Sequence, residues 1–122
     1  MMSRQILTVR PAASVREVAR TMRDAGVGAL LVMEDNQYLG IVTETDLVRK
    51  VLATEGNDLP ERASQVMMSP LITLEVDRSA HEASDLMAER HIRHLVVTED
   101  GKIVGILSVR DLLRYFKNWG SF

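Results

Sequence analysis

The sequence predicts an α/β fold in which two pseudo-symmetric copies of a strand, helix, strand, strand, helix (β-α-β-β-α) unit pack on each other as one domain. Three observations lead there. The 122 residues align with themselves at one ungapped offset of 65. Short β-prone runs alternate with helical stripes at matching places in both copies. Each copy is also too small to bury its own apolar faces well, so two copies are expected to share the work of forming a core.

The offset superposes Thr8 on Thr73, Ser14 on Ser79, Glu17 on Glu82, Met22 on Met87, Leu30 on Leu95 and Val32 on Val97. It continues through Glu34-Asp35 onto Glu99-Asp100, Gly40-Ile41 onto Gly105-Ile106, Asp46-Leu47 onto Asp111-Leu112, and Arg49 onto Arg114. Met2 falls on Met67. About 14 of roughly 48 compared positions are identical, far above chance. Between the copies, the polar run Ala53 to Ser64, holding Gly56 and Pro60, reads as a linker. The division is therefore 1–57 for the first copy with the start of the linker, and 58–122 for the second copy with an aromatic C-terminal tail.

Taken in order, Ile6 to Val9 and Leu71 to Val76 are β-prone runs that end in turns at Ser14 and Ser79. Those serines open helices. Ser14-Val15-Arg16-Glu17 and Ser79-Ala80-His81-Glu82 both fit the capping box, in which hydroxyl and carboxylate satisfy orphan first-turn amides. Val15, Val18, Ala19 and Met22 then form an apolar stripe at helical spacing, partly repeated by Ala80, Ala83 and Met87. Val27 to Met33 and Ile92 to Val97 read as buried strands, followed by polar turns at Glu34 to Gln37 and Glu99 to Lys102; the second turn contains the hairpin dipeptide Asp100-Gly101. Tyr38 to Val42 and Ile103 to Leu107 complete the strands, and helical patterning resumes at Leu47-Val48 and Leu112-Leu113.

Composition narrows the function. Hydrophobic residues at 46% and charged residues at 26% describe a globular protein rather than a disordered one. A net charge of −2 supplies no positive field for phosphate backbones, so nucleic acid is not an expected partner. Without cysteine there is no disulfide, thiolate nucleophile or thiolate metal site, and the expected compartment is the cytoplasm. No apolar run reaches the length of a membrane span, and no signal peptide is expected.

The most informative feature is Gly40-Ile41-Val42-Thr43-Glu44-Thr45-Asp46 and its counterpart Gly105-Ile106-Leu107-Ser108-Val109-Arg110-Asp111. The form is glycine, two apolar residues, a hydroxyl residue, two variable residues and aspartate, placed where a strand becomes a helix. Free amides at a helix start attract anions, a hydroxyl can bond a phosphate or sugar oxygen, and one carboxylate can accept from two ribose hydroxyls. A glycine nearby allows close approach. The same spacing is also a capping box, with the acid stabilising only the helix start. Spacing alone leaves both roles open.

These residues, with the capping serines, the MMSPLIT segment and the RHLVV strand followed by DGKIVGILSVRDLL, resemble the CBS domain, which occurs in tandem as a Bateman module. The resemblance covers nearly the whole chain, although no proline follows Leu30 or Leu95 where the family often has one. It implies a non-catalytic regulatory module whose clefts take an adenosine-containing ligand (AMP, ADP, ATP, S-adenosylmethionine or NAD), with no cofactor required, and which signals through altered packing to a separate partner protein. A homodimer is also implied. Carried over, Asp46 and Asp111 match ribose-binding aspartates, and Thr43 and Ser108 match the hydroxyl that contacts ribose or phosphate. Ile41 and Ile106 accompany them on the third strands. Thr8 and Thr73, with neighbouring Leu7 and Ile72, match positions that face the base. Arg93 and His94 match a basic pair facing phosphates, whereas the first copy has Gly28 and Ala29 there. With Arg110 nearby, phosphates are expected to prefer the Asp111 site.

The remaining candidates are weaker. His81, His91 and His94 lack a metal-binding spacing, and no serine sits in a nucleophile elbow, so neither a metal site nor an enzyme is expected. Met22 and Met87 are expected to fill the core. Four of the five aromatics, Tyr115, Phe116, Trp119 and Phe122, lie in the last eight residues beside Arg114 and Lys117. They cover the core or a dimer seam, or else they form the working surface of a protein-interaction or assembly module whose nucleotide clefts are vestigial.

Overall fold

The computed structural model of the chain describes residues 2–118, and its fold is α/β, with two three-stranded sheets. The described residues divide into two compact units, Leu7–Leu71 and a second that joins residues 2–6 to residues 72–118.

In the first unit, β1 (Thr8–Val9) lies parallel to β2 (Ala29–Glu34), which pairs antiparallel with β3 (Gln37–Thr43). The helix α1 (Val15–Ala25) joins β1 to β2, capped by the Ser14 hydroxyl accepting from the Glu17 amide at 3.0 Å. Asp35 and Asn36, both with positive φ, make the tight turn between β2 and β3. A single turn α2 (Glu44–Asp46) follows β3 and runs on in wider π-helical winding over Leu47–Leu52; the short α3 (Ala63–Val66) comes after it.

The second unit repeats this at the offset of 65. β4 (Thr73–Glu75) pairs parallel with β5 (His94–Glu99), and β5 antiparallel with β6 (Lys102–Ser108). The helices are α4 (Ala80–Arg90) and α5 (Val109–Asn118). Correspondence extends to irregularities. A register shift between Val32 and Met33 recurs between Val97 and Thr98, and the left-handed cap of α1 at Gly26 recurs at His91 after α4.

Alternation along the strands sorts each sheet into two faces. One carries Val9, Leu30, Val32 and Val42, which pack with Val18 and Met22 of α1 into the first core; its counterpart packs Leu95, Val97 and Leu107 with Ala83 and Met87 of α4. Ala19 does not join this stripe, being exposed beside the buried Val18.

Two expectations change. The run Ala53 to Ser64 is not linker throughout, because its end is bound to the first unit: the Val15 amide donates to the Glu61 carbonyl and the Ala63 amide to the Ala13 carbonyl. Ala63 and Val66 are fully buried in the first core. The second concerns the chain start. Ser3 exchanges backbone bonds with Ile106, just as Met68 does with Ile41, so each segment ahead of a first strand adds an edge to a β3-type strand. Through these contacts residues 2–6 group with residues 72–118, and the segment up to Leu71 groups with the first unit.

Candidate functional site

In the first unit, β3 delivers Thr43 to the start of α2. The Thr43 backbone is extended, and its hydroxyl accepts from the Asp46 amide at 3.2 Å. In return Asp46 Oδ2 accepts from the Thr43 amide at 2.9 Å and from the Thr43 hydroxyl at 3.1 Å. This is a complete capping box. Asp46 is 6% exposed, the one carboxylate buried among the described residues. Its Oδ1 meets Lys50 Nζ at 3.0 Å, and that ammonium also donates to the Val66 carbonyl at 2.9 Å.

The second unit repeats the box with fewer bonds. Asp111 Oδ2 accepts from the Ser108 amide at 2.8 Å, and the Ser108 hydroxyl accepts from the Asp111 amide at 3.1 Å. Tyr115 stands at the position of Lys50, packed against the second core with its ring edge-on to Phe116 at 5.3 Å. A carboxylate offers about four acceptor sites. Among the described residues, Asp46 spends three of them and Asp111 one.

The amides of these helix starts are less available than the spacing suggests. The Glu44 amide donates to the Gly28 carbonyl at 3.0 Å and the Val109 amide to the Arg93 carbonyl at 2.9 Å. Two of the first three amides in each helix are thus taken, one by a carbonyl and one by the capping hydroxyl. The hydroxyl and carboxylate are the groups the junction presents.

Register brings most of the sequence-predicted residues together within each sheet. Ala29 is opposite Thr43, and Thr8 lies in one row with Leu31 and Ile41, all on the face turned away from the α1-covered core. In the second sheet His94 is opposite Ser108, and Thr73 shares a row with Val96 and Ile106. Arg93, whose carbonyl accepts from the Val109 amide, and Arg110, next to Val109, are both exposed. Leu7 and Ile72 differ from these. Alternation turns their side chains to the opposite face, where they pack against the cores, and their carbonyls accept from Leu31 and Val96 in the sheets.

Two features escaped sequence reasoning. Lys50 carries no signal in the motif, and only the i, i+4 spacing from Asp46 could have suggested it. Gly40 and Gly105 also have a different reason from ligand approach. A Cβ at Gly40 would lie 2.7 Å from the Met68 carbonyl oxygen, and one at Gly105 would lie 2.6 Å from that of Ser3, with the sulfurs of Met67 and Met2 almost as near. The glycines admit the added edge segments, which explains why Met2 and Met67 repeat.

Elsewhere, a cavity of about 230 Å3 in the second unit is lined by Met2, Leu74, Val76, Ala83 and Val97 with Arg4 and Arg78; it contains none of the predicted ligand residues. The His81 ring lies 5.1 Å from that of Phe116. Trp119 and Phe122 of the aromatic tail lie outside the described residues. No described helix is long and apolar enough to cross a membrane.

The family profile of the CBS domain matches residues 1–53 and 63–118. An uncharacterized protein of Methanopyrus kandleri is 36% identical over 113 residues, which cover 91% of this chain and 58% of that protein. A putative signal-transduction protein with CBS domains from Burkholderia ambifaria is 36% identical, with a TM-score of 0.84 over 92% of this chain and 82% of its own. A CBS domain pair solved in complex with 5′-methylthioadenosine and S-adenosyl-L-methionine has the same fold at 22% identity, with a TM-score of 0.85 over 97% of this chain and 93% of its own. With both matched segments carrying the same strand-to-helix junction, the chain belongs to the CBS domain family, as a tandem pair.

Proposed function

We propose that this CBS pair is a non-catalytic regulatory module that binds an adenosine-containing ligand, principally at the Ser108/Asp111 junction, and passes that state to a separate partner protein. One observation carries the reading. Asp111 holds three of about four acceptor sites unspent among the described residues, enough for both hydroxyls of a ribose, while the Ser108 hydroxyl faces the same side as His94. Exposed Arg93 and Arg110 supply positive charge at that junction, which favours AMP, ADP, ATP or NAD; S-adenosylmethionine offers the same ribose with a sulfonium in place of phosphate. The related CBS pair in complex with methylthioadenosine and S-adenosyl-L-methionine lends the ligand class its support.

Regulation follows from linkage. A ligand that binds one conformation of the chain better than another shifts their populations by the ratio of its affinities, and a partner that distinguishes them reads the change. No chemical step is needed.

The test is thermal unfolding with each of AMP, ADP, ATP, S-adenosylmethionine and NAD. At about a hundred times its dissociation constant, a ligand adds roughly 2.7 kcal/mol, several degrees for a chain of this size. A shift with at least one ligand, lost in Asp111→Ala, is expected. No shift with any of the five at millimolar concentration contradicts the reading.

A second reading, assembly or protein interaction, is favoured by exposed apolar side chains at equivalent places on the second helical segments, Val48 at 53% and Leu113 at 54%, with Leu52 at 79%. A homodimer through these positions is compatible with ligand binding. Sedimentation of Val48→Glu and Leu113→Glu separates the two, since loss of dimer with ligand binding intact assigns these positions to assembly alone.

A further inference from the structure

We infer that Lys50 is a built-in counter-ion that closes the first junction to a ribose, so that the chain takes one adenosine ligand rather than two. The inference rests on the proposed adenosine reading and goes beyond it by assigning the asymmetry to a residue outside the repeated motif.

The two junctions share their backbone and their aspartate, so the difference lies in what each carboxylate has left to offer. Asp46 Oδ2 accepts twice, from the Thr43 amide and hydroxyl, and Oδ1 accepts from Lys50 at 3.0 Å. One acceptor site remains, and a vicinal diol requires two. Asp111 has three left among the described residues. The Thr43 hydroxyl proton is itself spent on Asp46, whereas no such bond from the Ser108 hydroxyl to Asp111 is formed.

The ammonium is tethered at two points, although the Lys50 side chain is 43% exposed. It donates a second bond, at 2.9 Å, to the carbonyl of Val66, and Val66 is fully buried at the end of α3. Withdrawing Lys50 to admit a ligand therefore breaks an ion pair to an 8%-exposed carboxylate and leaves the Val66 carbonyl without that donor. The second copy has Tyr115 at this position, which cannot supply a cation. Replacing Lys50 by an uncharged residue frees one acceptor on Asp46, raising the remaining count from one to the two that a diol needs.

The test counts bound ligand by equilibrium dialysis with AMP and with adenosine, which lacks the phosphate and so removes the preference created by Arg93 and Arg110. Wild type is expected to bind one per chain, Asp111→Ala none, Lys50→Met two, and the Lys50→Met, Asp111→Ala double variant one, which is lost again on adding Asp46→Ala. The first junction is expected to tighten at least tenfold in Lys50→Met. Lys50→Gln, which keeps a donor for the Val66 carbonyl, is carried in parallel, and thermal unfolding confirms that each variant is folded. Binding by Asp111→Ala that disappears in Asp46→Ala, Asp111→Ala would show the first junction open with Lys50 present and overturn the inference. So would one site in wild type, lost in Asp111→Ala and restored by neither Lys50 variant; in that case the adenosine reading stands. No binding by any variant overturns both.

Discussion

The junctions at residues 43–50 and 108–115 start from the same sequence pattern and end in different chemical states. In the first, Asp46 is buried, and three of its acceptor sites are filled by Thr43 and Lys50, with the helix beyond it widened into π winding over Leu47–Leu52. In the second, Asp111 is half-buried and makes one such bond, at the head of the regular ten-residue α5. The motif therefore fixes a cap in both copies. What lies four residues further on decides whether the carboxylate has anything left for a ligand. A capping box uses part of a carboxylate's acceptor capacity, and what it leaves for anything else is limited by the lone pairs.

Substitutions that treat the copies alike should have the largest effects. Gly40→Ala and Gly105→Ala each press a methyl against a backbone carbonyl and should cost about 2–3 kcal/mol in denaturant unfolding, similar in the two copies. A cost in only one would show that the edge segments are not equivalent. Next, Asp46→Ala should cost about 2 kcal/mol, because it removes a cap, leaves Lys50 without its partner and empties a buried position; Asp111→Ala should cost about 1 kcal/mol. The reverse order would break the contrast between a structural and an available carboxylate.

A smaller effect of opposite sign is expected at the helix ends. Gly26 and His91 occupy the same left-handed cap, at φ of 67° and 55°, and only the glycine does so without steric cost. His91→Gly should stabilise by about 0.5–1 kcal/mol, measured by the shift in unfolding midpoint. Smallest of all is the pair found only in the first copy, Arg23 and Asp24, joined at 2.8 Å. The hydrogen bond and charge of Arg23 hold the Asp24 carboxyl below its usual range. A lowered carboxyl contributes stability above its unfolded pKa, and that contribution fades as pH falls through the folded value. Full exposure screens it, so Asp24→Asn should leave unfolding at pH 7 unchanged within error.

Much of this was readable from the chain. The offset of 65 predicts the equivalence of the strands, the turns and the first helix of each copy, because a repeated pattern of apolar and capping positions specifies the same local structure twice; it does not show the different winding of the second helical segments. The Ser14 and Ser79 caps and the Asp100-Gly101 turn rest on neighbours within four residues, the range over which sequence pattern speaks directly. What was not legible depended on distant pairing. Ala63 lies in the polar run 53–64 and looks like linker until its burial against the first core is seen, and Gly40 and Gly105 look like ligand-facing glycines until Met67 and Met2 are found against them. Leu7 and Ile72 neighbour Thr8 and Thr73 in sequence, but strand alternation turns them to the cores. Lys50 lies four residues from Asp46, a spacing that hints at a pair, but its second partner, the Val66 carbonyl, is sixteen residues away and no local pattern points to it.

The most direct test of the account is a backbone-amide NMR titration of the wild-type chain with AMP. The amides of Ser108 and Asp111, which are bonded into the box that would receive the ribose, should shift saturably, while those of Thr43 and Asp46 stay in place. Equal saturable shifts at both junctions, or shifts at Thr43 and Asp46 alone, would contradict the claim that the same motif is a closed cap in one copy and a ligand site in the other.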